Sequence, residues 1–321
     1  LMRIRLSVKR YRPGSDLLPV WQDYRVEIRS DLTVLETLIQ LKEEEDGSLA
    51  FRYSCRSAIC GSCAMKINGS EKLACQTAVR EELERHGDLR IESLANFPVI
   101  KDLVADMGPF WKKVGSVTPW LHFKSEGTRD ASQKHLNREA FDHFHNVDAC
   151  IFCGACASAC NSLEVSPQFT GPAALAKAWR FVADPREAGD EKKARLGELI
   201  APDGIWDCVR CNYCVEVCPK DVRPMEAIIR LRREAIQDGL GNSPAGRHIT
   251  AFVEIVRKEG RLNEGLQPLK MLWRSPRLLL GVLPLAFNMA LKGKLVLPWH
   301  WPIRGIRFVR KLFKTEGTKR P

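Results

Sequence analysis

Alternating apolar and polar positions open the chain and predict its first elements of secondary structure. Residues 2–10 (MRIRLSVKR) alternate as a half-buried strand does, and residues 24–28 (YRVEI) predict a second strand. From Leu32 to Lys42 the apolar side chains recur at helical spacing instead. These helical apolar positions are Val34, Leu35, Leu38, Ile39 and Leu41. The chain is therefore expected to begin with two strands and a helix.

Helical patterns dominate the region beyond the first hundred residues. Residues 98–107 (PVIKDLVADM) predict a helix that leads away from the first domain, whereas the polar residues 124–134 predict a loop. Gly171-Pro172 marks the start of a helix that continues through Val182. A further helix is predicted over MEAIIRLRREAI, because Pro224 occupies its favoured first turn.

The most apolar stretch lies near the C-terminus, at residues 278–291 (LLLGVLPLAFNMAL). A membrane-spanning helix needs about 20 apolar residues, so this stretch is too short. Pro284 is also expected to interrupt it. We therefore predict no transmembrane helix and a soluble or peripheral protein.

Positive charge is concentrated in the same part of the chain. The formal net charge is +11, and residues 265–321 contain 12 Lys and Arg against one acid, Glu316. The first 264 residues are therefore neutral overall. Nucleic acid binding favours basic side chains interleaved with aromatic ones on a folded face. Here the basic residues flank leucine-rich segments instead, which favours a membrane surface or an acidic partner.

Twelve cysteines divide into three groups of four, the number of thiolates that holds one iron–sulfur cluster. Disulfides are disfavoured, because cysteines at this close spacing pair poorly and residues 1–10 show no secretory signal. Zinc is the alternative, since CxxC pairs also bind zinc, usually as two pairs separated by a longer loop. The compact runs in this chain favour iron–sulfur chemistry.

The first group of cysteines predicts a [2Fe–2S] site. Cys55, Cys60 and Cys63 follow the plant-type spacing C-x4-C-x2-C. The small residues Gly61 and Ser62 allow the backbone to wrap closely around a cluster and to aim N–H groups at its sulfurs.

A predicted hairpin completes this site. The dipeptide Asn-Gly at 68–69 separates the strand-like pieces AMKI and KLACQT, and it is a strong hairpin signal. The hairpin turns the chain back and delivers Cys75 as the fourth ligand. Two strands, a helix and then a cysteine loop are the order found in a small β-grasp ferredoxin.

The remaining cysteines lie in two runs of spacing C-x2-C-x2-C-x3-C, at 150–160 and 208–218. Cysteine runs followed by helices are typical of a bacterial-type ferredoxin core, in which the fourth cysteine of each run ligates the other cluster. One [4Fe–4S] cluster is then expected on Cys150, Cys153, Cys156 and Cys218. The second [4Fe–4S] cluster is expected on Cys160, Cys208, Cys211 and Cys214.

The predicted fold class is α+β, in three parts. Residues 1–107 form a β-grasp [2Fe–2S] ferredoxin domain, and residues 108–240 form an α-helical domain with two four-iron clusters. Residues 241–321 form a basic, amphipathic C-terminal extension. Because distant stretches share ligands, the second domain should not fold without its metal.

Residues 2–240 resemble the iron–sulfur subunit of the succinate dehydrogenase and fumarate reductase family. The resemblance lies in SCRSAICGSCAMKING followed by LAC, then PVIKDLVADM, CIFCGAC, GPAALAKAWRFVADPRE and CPK, in family order. It implies electron transfer through three clusters, between the FAD of a flavoprotein subunit and a quinone-linked membrane-side partner. Neither a catalytic residue nor a cofactor-binding residue beyond the cluster ligands is predicted on this chain.

The sequence departs from the common family pattern beside the third cluster. The common form lacks a cysteine at the position of Cys211 and holds a [3Fe–4S] cluster, so Cys211 implies a second [4Fe–4S] cluster. The alternative that stays open is a [3Fe–4S] cluster beside a free Cys211 thiol. Asn161 replaces a proline, Glu164-Val165 replaces a tryptophan pair, and Val209 replaces a histidine. These differences resemble a less common branch, in which the membrane-side subunit is often rich in cysteine.

The expected function is therefore electron transfer in a succinate dehydrogenase or fumarate reductase complex, within the respiratory chain or tricarboxylic acid cycle. The expected location is the cytoplasmic face of the inner membrane, contacted through residues 265–321. Two alternatives remain open at this point: a redox subunit of a thiol-linked (heterodisulfide-type) reductase, and a zinc-stabilised binding module.

Overall fold

A computed structural model describes residues 2–29, 31–122, 136, 138–144, 146–294, 298–299 and 301–318. The chain divides into two compact units, Leu1–Leu231 and Arg232–Pro321, which are described separately below. The predicted domain boundaries at residues 107 and 240 stay predictions.

The first unit opens with a mixed five-stranded sheet of order β2-β1-β5-β3-β4. Strand β1 pairs parallel with β5, and the other neighbours are antiparallel. The strands are β1 (Met2–Arg10), β2 (Val20–Ile28), β3 (Ala64–Ile67), β4 (Ser70–Leu73) and β5 (Leu89–Glu92). Helices α1 (Val34–Glu44) and α2 (Val79–His86) belong to the same domain. This mixed sheet with its helix confirms the predicted β-grasp domain.

Helix α1 begins where its sequence supplies a cap. The Thr33 side chain accepts a hydrogen bond from the backbone N–H of Glu36, and the Glu36 carboxylate accepts one from the Thr33 N–H. This reciprocal pair satisfies two N–H groups that the first turn leaves free. The predicted helix over residues 32–42 is confirmed with bounds two residues later, and its apolar stripe lies in the core.

The hairpin between β3 and β4 is confirmed. Asn68 and Gly69 both have positive φ, 47° and 82°, as a two-residue turn of this hand requires. The pairing of Ala64 with Leu73 sets the register, and the backbone N–H of Ala74 donates to the carbonyl of Cys63. The hairpin thereby returns the chain to the cysteine loop.

The helix predicted over residues 98–107 is wrong. That segment forms a short antiparallel ribbon of β6 (Val99–Lys101) and β7 (Val104–Ala105). The turn between them is fixed by Asp102, whose carboxylate accepts hydrogen bonds from the backbone N–H groups of Tyr11 and Ala50. Asp102 also takes a positive φ of 47°, which a helix cannot accommodate. Tertiary contacts therefore override a helical sequence pattern.

Short helices build the rest of the first unit. They are α3 (Gly108–Ser116), α4 (Arg138–Asp142), α5 (Ala155–Ser158), α6 (Asn161–Val165), α7 (Pro172–Val182), α8 (Gly189–Leu199) and α9 (Tyr213–Glu216). Helix α10 (Pro224–Gln237) contains the boundary between the two units. The predicted helices that start at Pro172 and Pro224 are confirmed. The loop predicted over residues 124–134 lies outside the described residues.

The second unit contains α11 (Pro244–Glu259), α12 (Leu266–Leu272), α13 (Pro276–Leu291) and α14 (Ile306–Thr318). Helix α13 continues through Pro284, so the expected interruption there is wrong. The proline leaves one carbonyl of the preceding turn without its helical partner, and the exposed surface of α13 lets water hydrate that group. Within the described part of the chain, no helix combines the length and apolar character needed to cross a membrane.

Candidate cluster sites

The first cysteine group lies in the loop before β3 and in the turn after β4. Cys63 directly precedes β3 and is buried, whereas Cys60 is exposed and Cys55 and Cys75 are half-buried. Because the hairpin brings Ala74 back to Cys63, the distant Cys75 joins the loop as the spacing predicts. The four thiols therefore lie in one loop region that is open to solvent on one side.

The cysteine loop curls around its own sulfur atoms. Arg56, Ala58 and Gly61 all have positive φ, which turns successive backbone N–H groups inward. The Cys55 Sγ accepts hydrogen bonds from the N–H groups of Ser57, Ile59 and Cys60, at 3.4, 3.4 and 3.3 Å. The Ala58 N–H donates to the Sγ of Cys75 at 3.3 Å. These donors stabilise thiolate charge, and such hydrogen bonds raise the reduction potential of a bound cluster.

Two thiols of this loop differ sharply in acidity. Hydrogen bonds from the Ser62 hydroxyl and from the Cys55 N–H lower the pKa of Cys60 to about 6. Burial raises the pKa of Cys63 to about 12. Metal binding must therefore displace the proton of Cys63, whereas Cys60 is ready to bind as a thiolate.

The two later cysteine runs fold as copies of one another, 58 residues apart. In the first run Phe152 and Gly154 have φ of 52° and 84°, and in the second Arg210 and Asn212 have φ of 57° and 76°. Each run then enters a one-turn helix, α5 or α9, at the same offset. Cys211 consequently occupies the backbone position in the second run that Cys153 occupies in the first.

The fourth cysteine of each run lies among the first three of the other run. Burial is the main cause that raises the pKa of Cys153 to about 11, and the neighbouring thiols of Cys150 and Cys218 add to it. Burial likewise raises the pKa of Cys214 to about 12, with contributions from Cys208 and Cys160.

The thiols therefore gather in two crossed groups, each of which contains three cysteines of one run and the fourth cysteine of the other. Cys156 interacts with Cys218 of its own group and with Cys214 of the other group. No group of three His, Cys, Asp or Glu side chains among the described residues has the geometry of a site for a single metal ion. The donor set itself, four thiols per group, fits an iron–sulfur cluster.

Positively charged side chains lie near both crossed groups. Lys177 interacts with the Cys150 thiol and lowers its pKa, although burial raises that pKa overall. The Lys113 ammonium donates to the carbonyls of Pro167 and Phe169 at 2.5 and 2.6 Å, and it also interacts with Cys160. Sequence spacing could not identify either lysine, because neither belongs to a cysteine motif.

The positions that depart from the common family pattern lie on the surface beside the second run or α6. Asn161 is exposed, Val165 is 86% exposed and Val209 is 65% exposed. Glu164 is also exposed, and the neighbouring Ser162 is buried and donates to the Asp207 carbonyl at 2.9 Å. This surface therefore presents small, apolar and acidic side chains near the second four-cysteine group.

Two family descriptions match the chain in the same order as the structural domains. Residues 5–112 match the 2Fe-2S iron-sulfur cluster binding domain, and residues 146–222 match the 4Fe-4S dicluster domain. The chain thus contains the predicted ferredoxin domain followed by a domain of a type that binds two four-iron clusters.

Several curated relatives align with three quarters of the chain. The fumarate reductase iron-sulfur subunit of Mycobacterium tuberculosis (strain CDC 1551 / Oshkosh) is 40% identical over 238 residues, which are 74% of this chain and 95% of the relative. The subunit of the same name from Escherichia coli O6:H1 is 36% identical over 240 residues, or 75% and 96%. The 8-methylmenaquinol:fumarate reductase iron-sulfur subunit of Wolinella succinogenes is 36% identical over 238 residues, covering 72% of this chain and 73% of the relative.

A solved structure shares the fold. A chain of the Mycobacterium smegmatis Sdh1 complex in the apo form superposes with a TM-score of 0.63 at 24% identity. The match covers 74% of this chain and 96% of the other.

Proposed function

Because the chain belongs to the iron–sulfur subunits of the succinate dehydrogenase and fumarate reductase family, we propose that it carries single electrons between flavin and quinone. The flavin is FAD on a flavoprotein subunit, and the quinone-linked partner lies on the membrane side. The observation that carries this proposal is the arrangement of twelve thiols in three groups, with a direct contact between the first domain and the second. The chain itself contributes electron transfer within the complex and no substrate chemistry.

The proposed ligand sets are those that the spacing predicts. Cys55, Cys60, Cys63 and Cys75 hold a [2Fe–2S] cluster, and Cys150, Cys153, Cys156 and Cys218 hold a [4Fe–4S] cluster. The second [4Fe–4S] cluster takes Cys160, Cys208, Cys211 and Cys214. The equivalent backbone conformation of the two runs supports Cys211 as a ligand, because it places Cys211 where Cys153 stands in the first set. When bound, the clusters supply one-electron redox chemistry at each site.

The flavoprotein is proposed to dock on the exposed rim of the first cysteine loop. Ile59 is 66% exposed at the tip of that loop, and Tyr53 and Arg56 are exposed beside it, with the guanidinium carbon 5.3 Å from the ring centroid. An apolar tip with a cation and an aromatic ring is a surface that a protein partner can desolvate. Electrons would then enter at the first loop and leave near the exposed surface around Val209.

The membrane-side partner is proposed to be the cysteine-rich type found in the less common branch of the family. The exposed Asn161, Glu164 and Val209 support this, because they replace the proline, tryptophan and histidine of the common pattern. Direct quinone binding by this chain is therefore not part of the proposal.

Purification of the native complex tests the proposed function. We expect a flavoprotein subunit with FAD to copurify, and fumarate or succinate to oxidise or reduce the brown iron–sulfur chromophore. Response to a disulfide substrate without response to either dicarboxylate would favour the thiol-linked reductase instead. A colourless protein that contains zinc would contradict all electron-transfer functions.

The C-terminal extension is proposed to contact the membrane on the cytoplasmic side. Helix α13 has apolar side chains around its whole circumference, and every one of its residues is exposed or half-buried. A helix that is apolar all round needs apolar surroundings. Within the extension, residues 265–321 carry a net charge of +11, equal to that of the whole protein, and this charge attracts anionic lipid by about 1 kcal/mol per nearby Lys or Arg.

Substitution of exposed α13 residues tests this contact without disturbing the packing of α11 and α12. Leu280, Leu283 and Phe287, changed together to glutamine, should release the complex from vesicles that contain anionic lipid. The matched control changes Leu17 and Leu18 to glutamine, since both are exposed leucines in the first domain. Equal membrane binding by both variants would contradict the proposal and would leave a partner subunit as the cover of α13.

A further inference from the structure

The first cysteine loop packs directly on the first four-cysteine run. Gly61 follows Cys60 in the loop, is buried, and has a φ of 73°. A Cβ atom at this position would lie 2.8 Å from the Cβ of Cys153, 2.9 Å from its Cα and 3.1 Å from the Ile151 carbonyl oxygen. Such distances are shorter than van der Waals contact, so only glycine permits the two loops to approach this closely.

Asn96 fastens the same junction from the segment after β5. Its side-chain amide nitrogen lies 2.9, 2.9 and 3.1 Å from the carbonyl oxygens of Ala157, Ser158 and Cys160. The first two carbonyls lie at the C-terminal end of α5, and the third belongs to Cys160, the last cysteine of the first run. Asn96 has a positive φ of 61°, a conformation that asparagine tolerates better than most residues.

Ser158 links α5 to the hairpin of the first domain. Its hydroxyl accepts a hydrogen bond from the Ala95 N–H at 2.8 Å and donates one to the Glu71 carboxylate at 2.8 Å. Both Ser158 and Glu71 are buried. A buried carboxylate is costly without a donor, so this contact fixes the position of α5 against β4.

We propose that Gly61, Asn96 and Ser158 form a junction that sets the distance between the first two cluster sites. Electrons cross it between the Cys60–Gly61 backbone and Cys153, one electron leaving one site as one enters the other. The three residues are positioning residues, because none of them is a ligand in the proposed sets. This inference rests on the proposed electron-transfer function, and it adds which contact controls the first step between clusters.

The test compares Gly61→Ala with Gly69→Ala in the complete complex. Both glycines have positive φ, but a Cβ at Gly69 meets no atom within 4 Å, so the control carries the backbone strain without the clash. After full chemical reduction, we expect Gly61→Ala to weaken the magnetic coupling between the first two clusters in its electron paramagnetic resonance spectrum. Electron equilibration between them should slow several-fold after rapid mixing, while Gly69→Ala leaves both readouts unchanged.

A second pair of variants keeps the test decisive if Gly61→Ala fails to load its clusters. Asn96→Asp replaces the donating amide with oxygen, so the carbonyls of Ala157, Ser158 and Cys160 lose this donor without any change in the size of the side chain. Its control is Asn146→Asp, the same change at another position of positive φ. Asn96→Asp should keep its iron and show weaker coupling than the control.

One result would overturn the proposed junction. In that result the Asn96→Asp complex retains its iron, and both the magnetic coupling and the rate of electron equilibration between the first two clusters stay at the wild-type level. Both readouts use a chemical reductant, so they are measured independently of flavin or dicarboxylate. A wild-type complex that fails to respond to succinate and fumarate would refute the proposed function instead.

Discussion

Replacing Arg10 by methionine should destabilise the N-terminal domain by about 3–5 kcal/mol, the cost of breaking a buried ion pair from one side. The Arg10 side chain is 1% exposed, and it pairs with Asp102, which is fully buried, at 2.9 Å. It also pairs with Asp46. Burial opposes the charge of Arg10, but its hydrogen bonds to the two carboxylates raise its pKa. Methionine fills much of the volume but leaves both carboxylates without their cation.

The loss of stability in Arg10→Met can be measured by native-state hydrogen exchange on the intact chain, because the amides of β1 and α1 report opening of the N-terminal domain. A loss of about 3–5 kcal/mol corresponds to a fall in their protection of roughly 100- to 4,000-fold. The matched control is Arg5→Met on the same strand, where solvent screens an exposed pair with Asp23, so protection should stay close to the wild-type level.

Partial rescue is also expected. Changing Asp46 to asparagine in the Arg10→Met background removes one unpaired charge, so it should restore part of the lost protection. Equal protection in Arg10→Met and Arg5→Met would show that the buried network does not hold the ribbon of β6 and β7 to the sheet.

Three further outcomes are expected. Cys211→Ala should lose about one iron per chain and gain the resonance signal of a three-iron cluster; unchanged iron content would show that Cys211 is not a ligand. Burial raises the pKa of Tyr24 to about 12 in the folded protein, so the fold loses stability between pH 10 and 12, where the unfolded chain releases this proton more easily. Tyr24→Phe should remove that loss, which thermal unfolding measured against pH checks. Arg195→Met should cost about 3–5 kcal/mol, since the buried guanidinium pairs with Glu187 and donates to the carbonyls of Val117 and Thr118. Arg80→Met on the exposed face of α2, where solvent screens the pair with Glu84, should leave thermal stability nearly unchanged.

Local sequence signals predicted the elements that local chemistry determines. The alternation in residues 2–10, the Asn-Gly turn and the prolines at 172 and 224 each specify backbone conformation within a few residues. The helix predicted at 98–107 failed because Asp102 is held by backbone groups about 50 and 90 residues away. The interruption predicted at Pro284 failed for a related reason. The cost of a proline inside a helix depends on whether solvent reaches the carbonyl that has lost its helical hydrogen bond, and the sequence does not show this.

The cysteine motifs could be recognised from the sequence, whereas the side chains that surround them could not. Cysteine spacing predicts the ligand sets because each type of cluster imposes its own spacing, and from the sequence Gly61 is only a small residue that lets the backbone wrap closely around a cluster. Its contact with Cys153 could not be foreseen, because it joins two loops about 90 residues apart. The same holds for Asn96, which reaches the first cysteine run only through the packing of the two domains, and for Lys113, whose partners lie about 55 residues further along the chain.

The crossing of the two cysteine runs also bears on how the protein is made. With the proposed ligand sets, the first cluster site is complete once Cys75 has left the ribosome. Both later sites wait for the second run, because one lacks Cys218 and the other lacks three of its four thiols until then. A nascent chain stopped before residue 208 should therefore acquire a single cluster, and the biosynthetic machinery must keep the thiols of the first run reduced and unoccupied during that interval.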